Sequence, residues 1–414
     1  MALLVQKFGG SSVGSLEKIR ALATRLAARR APSDDLVVVV SAMQGETDRL
    51  LGLAREVASR PDPRELDQLV ATGEQVAAAL LALALRDRGV AACSLTGAQL
   101  RLHTDGAYAH ARIRSLDCAP VRAQLQLGAV VVATGFQGVD VAGNLTTLGR
   151  GGSDTSAVAL AAALGAAECE IYTDVLGVYT ADPRICPAAR KLDRISFDEM
   201  MEMASLGSKV LQIRSVELAM NHNLPLRVRS AVSDDPGTRV EGVSDALERV
   251  NVCGISHAPH EARLTLRRLP DRPGIAAEIF TRLAVAQINV DVIVQNSATD
   301  GLTDISFTVA RAQCEAALEL LQGPGGETMT VEVDRAIGKV SIVGVGMMSH
   351  PGVAATMFSA LAAANINILI ITTSEIKVTC VVAETDTVAA VQVLHAAFHL
   401  ERPAATPLLA AASA

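Results

Sequence analysis

The chain has 414 residues, half of them hydrophobic, and a formal net charge of −7; it is too long for one ordinary core, and at roughly 150 residues per domain two or three domains are expected. Aromatic residues make up only 2% and tryptophan is absent, so the cores must be packed with Ala, Val, Leu and Ile, and base-stacking platforms are disfavoured. The acidic balance has the wrong sign for a binder of phosphate backbones, which argues further against nucleic acid as a partner.

The chain opens with a short apolar strand, Leu3-Leu4-Val5-Gln6, that runs straight into Lys7-Phe8-Gly9-Gly10-Ser11-Ser12. The glycines let the backbone bend and present its N–H groups to an anion, the serines add hydroxyl donors, and Lys7 supplies a point charge, so the turn suits a phosphate. It is neither a G-x-x-x-x-G-K-[ST] loop nor a G-x-G-x-x-G turn, and the same residues also read as an ordinary strand-to-helix turn.

Helical patterns over 16–30, 64–88, 153–164 and 198–221 alternate with β-branched runs at 36–40, 129–133 and 170–173. Continuous apolar strands between helices predict a largely parallel sheet covered on both faces, whose ligands gather at the carboxyl ends of the strands. Ser41, with Thr47 and Asp48 beyond it, follows the run 36–40, and Thr134-Gly135-Phe136 follows 129–133. Ahead of the helix at 153–164 stands Gly149-Arg150-Gly151-Gly152-Ser153-Asp154, a second glycine-rich turn. Ser153 or Asp154 can cap that helix, but a cap does not require Arg150, whose fork suits a carboxylate or a phosphate. Thr173 and Asp174 end the next strand and lead into a loop, through Tyr179 and Arg184, that can wrap a nucleotide; Lys209 adds a second lysine. Lysines, an arginine, acids and two glycine-rich turns form an inventory for phosphoryl transfer. Neither a G-x-S-x-G elbow nor a dinucleotide fingerprint occurs.

Residues 230–250 are rich in Ser, Asp, Gly and Pro and read as a linker. Beyond them the chain repeats itself: 272–290 and 350–368 share ten identities in nineteen positions, from Pro-Gly through Phe280 or Phe358 to Ile-Asn. Each copy reads strand, Pro-Gly turn, helix, Asn-containing turn and strand, at 264–268, 274–286 and 290–294, then at 339–345, 352–364 and 368–372, with hairpin-like returns at 303–309 and 376–383. The Ala/Pro-rich tail from 402 to 414 is expected to fray.

The seven cysteines are scattered and never spaced as C-x-x-C, as expected of reduced cytosolic thiols. His257 and His260, and His395 and His399, have metal-like spacings without Cys or carboxylate companions, so no metal site is expected from protein side chains. The N-terminus lacks the charged-then-apolar order of a signal peptide, and Val76 to Leu85 is too short to span a bilayer. A cytoplasmic protein without membrane partners is expected.

In this order, Lys7-Phe8-Gly9-Gly10-Ser11-Ser12, Val40-Ser41-Ala42-Met43, Thr72-Gly73-Glu74, Gly149 to Asp154 and Thr173 to Arg184 resemble the aspartate kinases of the amino acid kinase family, and the resemblance covers nearly the whole chain. It implies an N-terminal α/β/α sandwich to about residue 230, a linker at 231–250, and two C-terminal α+β units of βαββαβ type similar to ACT domains, at 251–335 and 336–401, one partly nested around the other. The activity it implies is transfer of the γ-phosphoryl of ATP, with Mg2+ carried by the nucleotide, to the side-chain carboxylate of L-aspartate. The product, 4-phospho-L-aspartate, is the entry to lysine, threonine and methionine synthesis.

By the same resemblance, Lys7 bridges the transferring phosphoryl, Gly9, Gly10 and Ser11 donate to phosphate oxygens, and Asp154 orients Lys7. Arg150 grips a substrate carboxylate, Glu74 receives its ammonium, and Ser41, Thr47 and Ser153 help to place it. Thr173, Asp174, Tyr179, Arg184 and Lys209 line the nucleotide side. ACT units bind amino acids at paired edges, which implies lysine or threonine, or both, as effectors at Asp271, Asn289, Gln295 and Asn296 and, in the second copy, at Asn367, Ser374 and Glu375. Each Asn also reads as a helix C-terminal turn residue. A homo-oligomer through ACT edges, or a pairing with a shorter ACT-only chain, follows from the resemblance. The chain departs from the usual pattern at Gln44-Gly45-Glu46, Met348 and Thr372. Another carboxylate kinase of the same family and a non-catalytic amino-acid-binding regulator are the alternatives.

Overall fold

The run from Leu36 to Val40 lies where a strand apolar on both faces belongs, inside an eight-stranded sheet. The structure is a computed structural model, and it describes residues 3–31, 34–205, 210–242, 251–296, 301–322, 330–347, 350 and 352–402. Two compact units emerge: one from the described residues up to 178 with 191–205 and 210–242, the other from 179–190 and the described residues from 251 onward.

In the first unit the elements run β1 (Leu3–Phe8), α1 (Leu16–Arg29), β2 (Asp35–Val40), α2 (Glu46–Val57), α3 (Pro63–Val70), α4 (Thr72–Arg86), β3 (Ala92–Leu95), β4 (Leu102–Thr104), β5 (Ile113–Leu116) and α5 (Ala119–Gln126). They continue as β6 (Val130–Thr134), β7 (Gln137–Val139), β8 (Leu145–Thr147), α6 (Gly152–Leu164), β9 (Cys169–Thr173), β10 (Arg194–Ser196), α7 (Phe197–Ser205), α8 (Ile213–Asn221), β11 (Leu226–Ser230) and β12 (Thr238–Glu241). The main sheet has the order β10-β12-β11-β9-β1-β2-β6-β3, parallel throughout except between β11 and β12. Alternation along its strands sends Phe8, Val38 and Val40 into one apolar layer with Ile19, Leu22 and Leu26 of α1 and Ala77, Leu81 and Leu85 of α4. Val5, Lys7, Val37 and Val39 point to the other face, which α6 covers along β1, β2 and β9. That alternation aims Lys7 at α6.

The helical pattern at 64–88 breaks into α3 and α4 at Ala71, whose carbonyl accepts from the buried Gln137 side chain at 2.9 Å while Thr72 Oγ1 donates to Leu69 O at 2.7 Å. The pattern at 198–221 likewise divides into α7 and α8, with Gln212 extended ahead of α8. Inside the stretch read as a linker, 238–241 is β12, antiparallel to β11, so this sheet runs on past residue 230. A second sheet, β5-β4-β7-β8, has strands of three or four residues, too short to leave a period in the sequence. Pro63–Arg86 is apolar and long enough to cross a membrane by composition, but here it is the α3–α4 pair, half of it buried.

In the second unit the elements are β13 (Asn251–Pro270), α9 (Ile275–Val285), β14 (Asp291–Gln295), β15 (Leu302–Ala310), α10 (Cys314–Gln322), β16 (Thr330–Val345), α11 (Gly352–Ala363), β17 (Ile370–Thr373), β18 (Lys377–Ala383) and α12 (Thr387–Ala397). One antiparallel sheet, β14-β15-β13-β16-β18-β17, carries both repeats. The long β13 and β16 each serve two cores. Leu264 and Leu266 of β13 pack with Ile279, Leu283, Phe307 and Leu321, and Val331 and Val333 from the start of β16 lie against them. Ile255, from the start of β13, packs instead with Val340, Ile342, Met357, Leu361, Cys380 and Leu394. Each repeat thus takes one strand from the other's half of the chain.

Residues 179–190 belong to this second core, where Ala181 and Cys186 are buried. Thr180 O accepts from Ile255 N at 2.7 Å, and Thr180 Oγ1 bonds His395 Nε2 at 2.9 Å. The loop read as continuous from Thr173 to Arg184 is therefore divided between the two units.

Candidate active site

A pocket of about 360 Å³ opens at the carboxyl ends of β1 and β2, lined among others by Lys7, Gly10, Ser41, Thr47, Glu74, Arg150, Ser153 and Asp154. Each side chain is delivered by an element end. Lys7 sits one residue before the end of β1, and Asp154 in the first turn of α6 meets its Nζ at 2.6 Å with both side chains nearly buried. The turn after β1 is pressed against the one after β2: Ser41 N donates to Phe8 O at 3.1 Å, and a Cβ on Gly10 would lie 2.9 Å from Ala42 O. No side chain fits there.

Glu74 enters from the first turn of α4, 3% exposed. Its Oε1 accepts from Ala42 N at 2.9 Å, while its Oε2 is buried without a partner among the described residues. Burial pushes the carboxyl up to about 7, against the Ala42 N–H, which pulls it down. A buried, half-satisfied carboxylate facing a pocket is an acceptor for a cation such as an ammonium group. Arg150, exposed between two glycines, supplies a guanidinium to the same pocket and has no carboxylate partner among the described residues. The pocket thus offers sites for an ammonium, a carboxylate and a transferring anion.

The model of the amino acid kinase family matches residues 2–230, and an ACT domain model matches 267–323 and 340–398. The chain belongs to the amino acid kinase family. It is similar to the aspartokinase of Pseudomonas aeruginosa, 54% identical over 408 residues that cover 98% of this chain and 99% of the relative. Among solved structures it is similar to E. coli aspartokinase III in complex with aspartate and ADP in the R-state, with a TM-score of 0.78, 26% identity and coverage of 96% and 99%. The T-state of that protein with lysine and aspartate gives 0.74, 27%, 95% and 99%.

Of the remaining expected residues, Gly9 stands next to Lys7, its N–H toward Tyr172 O at 3.4 Å, and the Ser11 carbonyl takes the Lys18 ammonium at 2.9 Å. Thr173 ends β9, the neighbour of β1, and Asp174 follows it, with Thr173 Oγ1 accepting from Val175 N at 3.0 Å. Tyr179 and Arg184 lie in the second unit, where the Arg184 guanidinium holds Asp182. Lys209 lies outside the described residues. Among the described residues, no three His, Cys, Asp or Glu side chains gather as a metal site. Gln44 and Phe136, which the sequence places near strand ends without giving them a role, also line the pocket. Gln44 stands in the one departure near the pocket, Gln44-Gly45-Glu46, which was the available signal.

In the second unit Asn289 lines a hollow of about 370 Å³ with Phe280, Gln287, Ile288 and Ile293. Asp271, Gln295 and Asn296 are exposed, and Asn296 N donates to Asp304 O at 3.2 Å. In the second repeat Asn367 and Glu375 are exposed, while Ser374 closes the β17–β18 turn by accepting from Lys377 N at 3.2 Å.

Proposed function

We propose that this chain is an aspartate kinase, transferring the γ-phosphoryl of MgATP to the side-chain carboxylate of L-aspartate to give 4-phospho-L-aspartate. The observation that carries this reading is the Glu74 carboxylate, buried and half-satisfied in one pocket with Arg150 and the Lys7–Asp154 pair. Glu74 accepts the substrate ammonium, Arg150 pairs with its α-carboxylate, and Ser41, Thr47 and Ser153 place the chain between. The side-chain carboxylate attacks phosphorus, the bond to the β,γ-bridging oxygen breaks, and ADP leaves with the electron pair. No base is required, because a carboxylate is already ionised at neutral pH. Lys7 neutralises the transferring oxygens, oriented by Asp154, with Gly9, Gly10 and Ser11 donating to phosphate. Thr173 and Asp174 lie toward the nucleotide.

The ACT repeats bind an amino-acid effector, lysine or threonine, through Asn289 and its surroundings. The lysine complex of the E. coli relative supports the first of these. Effector and active site are then coupled by about 1–3 kcal/mol. Pairing through ACT edges, with a second copy or a shorter ACT chain, and a cytoplasmic location with reduced thiols complete the reading.

Trapping of the acyl phosphate by hydroxylamine tests it. Wild type with MgATP and L-aspartate should give aspartyl hydroxamate, Lys7→Ala should lower the rate about 1,000-fold, and lysine or threonine should suppress it. Binding of ATP without hydroxamate from aspartate would sink the substrate assignment.

A further inference from the structure

Arg150 stands on a backbone held by two charged side chains that the roles above do not use. Asp67, on α3, is 1% exposed. Its carboxylate accepts from Thr147 N at 2.7 Å, Thr147 Oγ1 at 2.8 Å and Ala109 N at 2.9 and 3.1 Å. From the other side Arg214, on α8, donates to Leu148 O at 2.6 Å and to Ala111 O at 3.1 Å. Further backbone groups here are also committed: Ala111 N donates to Thr147 O at 2.9 Å, and Leu148 N to Phe136 O at 2.8 Å. Gly149 and Gly151 both have positive φ, and a Cβ on either would run into Ala109 O or the Gln212 side chain. The loop is therefore constrained from both flanks.

A neutral acceptor would do less at position 67. Three N–H and O–H donors converge there, and only a carboxylate accepts from all of them without presenting a donor of its own. The placement matters because α3 and α4 meet at Ala71, so one helical pair carries both Asp67 and Glu74. Through Asp67 the element that receives the ammonium also holds the loop that presents the guanidinium.

We propose that Asp67 and Arg214 are positioning residues that fix Arg150 relative to Glu74, and so set the span between the two ends of the amino-acid substrate. The inference rests on the reading of Arg150 as the partner of the substrate carboxylate. Loss of either clamp lets the guanidinium wander, which weakens aspartate binding while the Lys7–Asp154 pair and the nucleotide side stay in place.

Steady-state kinetics in aspartate and in ATP, on the full chain, separate this from a merely structural role. A variant that only unfolds lowers kcat by its inactive fraction and leaves both KM values alone. Asp67→Asn and Arg214→Met should each raise KM for aspartate about tenfold or more, with KM for ATP within about threefold, and Arg214→Lys should recover part of the loss. In a cycle with Arg150→Ala the effects should fail to add, because the clamps act through Arg150. Should Asp67→Asn not fold, Arg214→Met and Arg214→Lys, on another helix, carry the test. Unchanged KM for aspartate in the clamp variants, or full additivity with Arg150→Ala, overturns the inference and leaves the substrate reading standing. Unchanged KM for aspartate in Arg150→Ala itself overturns the reading of Arg150, and the inference with it.

Discussion

Glu74 shows how one residue joins stability to function. Burial holds its carboxyl at about 7, well above the ordinary 4.5, so near neutrality a fraction of the free protein carries it protonated and unable to accept an ammonium group. In the proposed reaction kcat/KM for aspartate should rise with pH through about 7 and then level, and Glu74→Gln should flatten that limb and bind aspartate poorly at every pH. Initial-rate profiles around neutrality check this; a wild-type profile without a limb near 7 would remove Glu74 from the ammonium site. The same shift has the opposite sign for stability. The folded state keeps a proton that the unfolded chain has lost, so stability falls as pH rises from about 4.5 to about 7 and is constant above. Above pH 7, Glu74→Gln is therefore expected to be more stable than wild type, by on the order of 3 kcal/mol, readable as a higher melting temperature that disappears below about pH 4.5.

At the scale of elements, the site is a meeting of strand ends and helix starts. Gly10 lets the turn after β1 rest on the turn after β2, and Gly10→Ala would drive a Cβ to 2.9 Å from the Ala42 carbonyl. That oxygen is backbone and cannot swing aside, so the two turns must part, at a cost of about 1–3 kcal/mol. The expected result is a kcat lower by about tenfold or more, with a small loss of melting temperature; unchanged kcat would show that the turn has room. The strand-to-helix order β1–α1–β2 and the helix α6 were legible because each is a run of its own period bounded by glycine or polar residues. The break between α3 and α4 was not, because it depends on Gln137, 66 positions from the Ala71 carbonyl it bonds.

In the whole molecule, the two ACT repeats are one sheet whose long central strands are shared. Because Ile255 serves the second core and Val331 and Val333 the first, a fragment beginning at residue 259 should fail to fold its second repeat, whereas one beginning at 251 should keep both. It should still be less stable than the same unit in the full chain, having lost Ala181 and Cys186 from the second core. Circular dichroism and thermal melts of the two fragments check this, and equal cooperativity in both would show that the start of β13 is dispensable. The repeat at 272–290 and 350–368 was plain in the sequence, yet the expected strands at 264–268 and 339–345 covered only the half of each long strand that serves its own repeat.

Local chemistry and short-range periodicity were enough, without coordinates, to indicate an α/β unit with glycine-rich turns at Lys7 and Arg150, a duplicated α+β half, and a family resemblance that named Glu74 and Asp154. Those features are written in contiguous residues whose backbone preferences and side-chain chemistry act over a few positions. What only the tertiary structure decided are the relations between distant residues: the 2.6 Å pairing of Lys7 with Asp154, the burial that raises Glu74, the Asp67 and Arg214 clamps around Thr147 and Leu148, and the placing of 179–190 in the second unit. Desolvation and long-range hydrogen bonding depend on which surfaces are buried against each other, and folding alone brings those surfaces together.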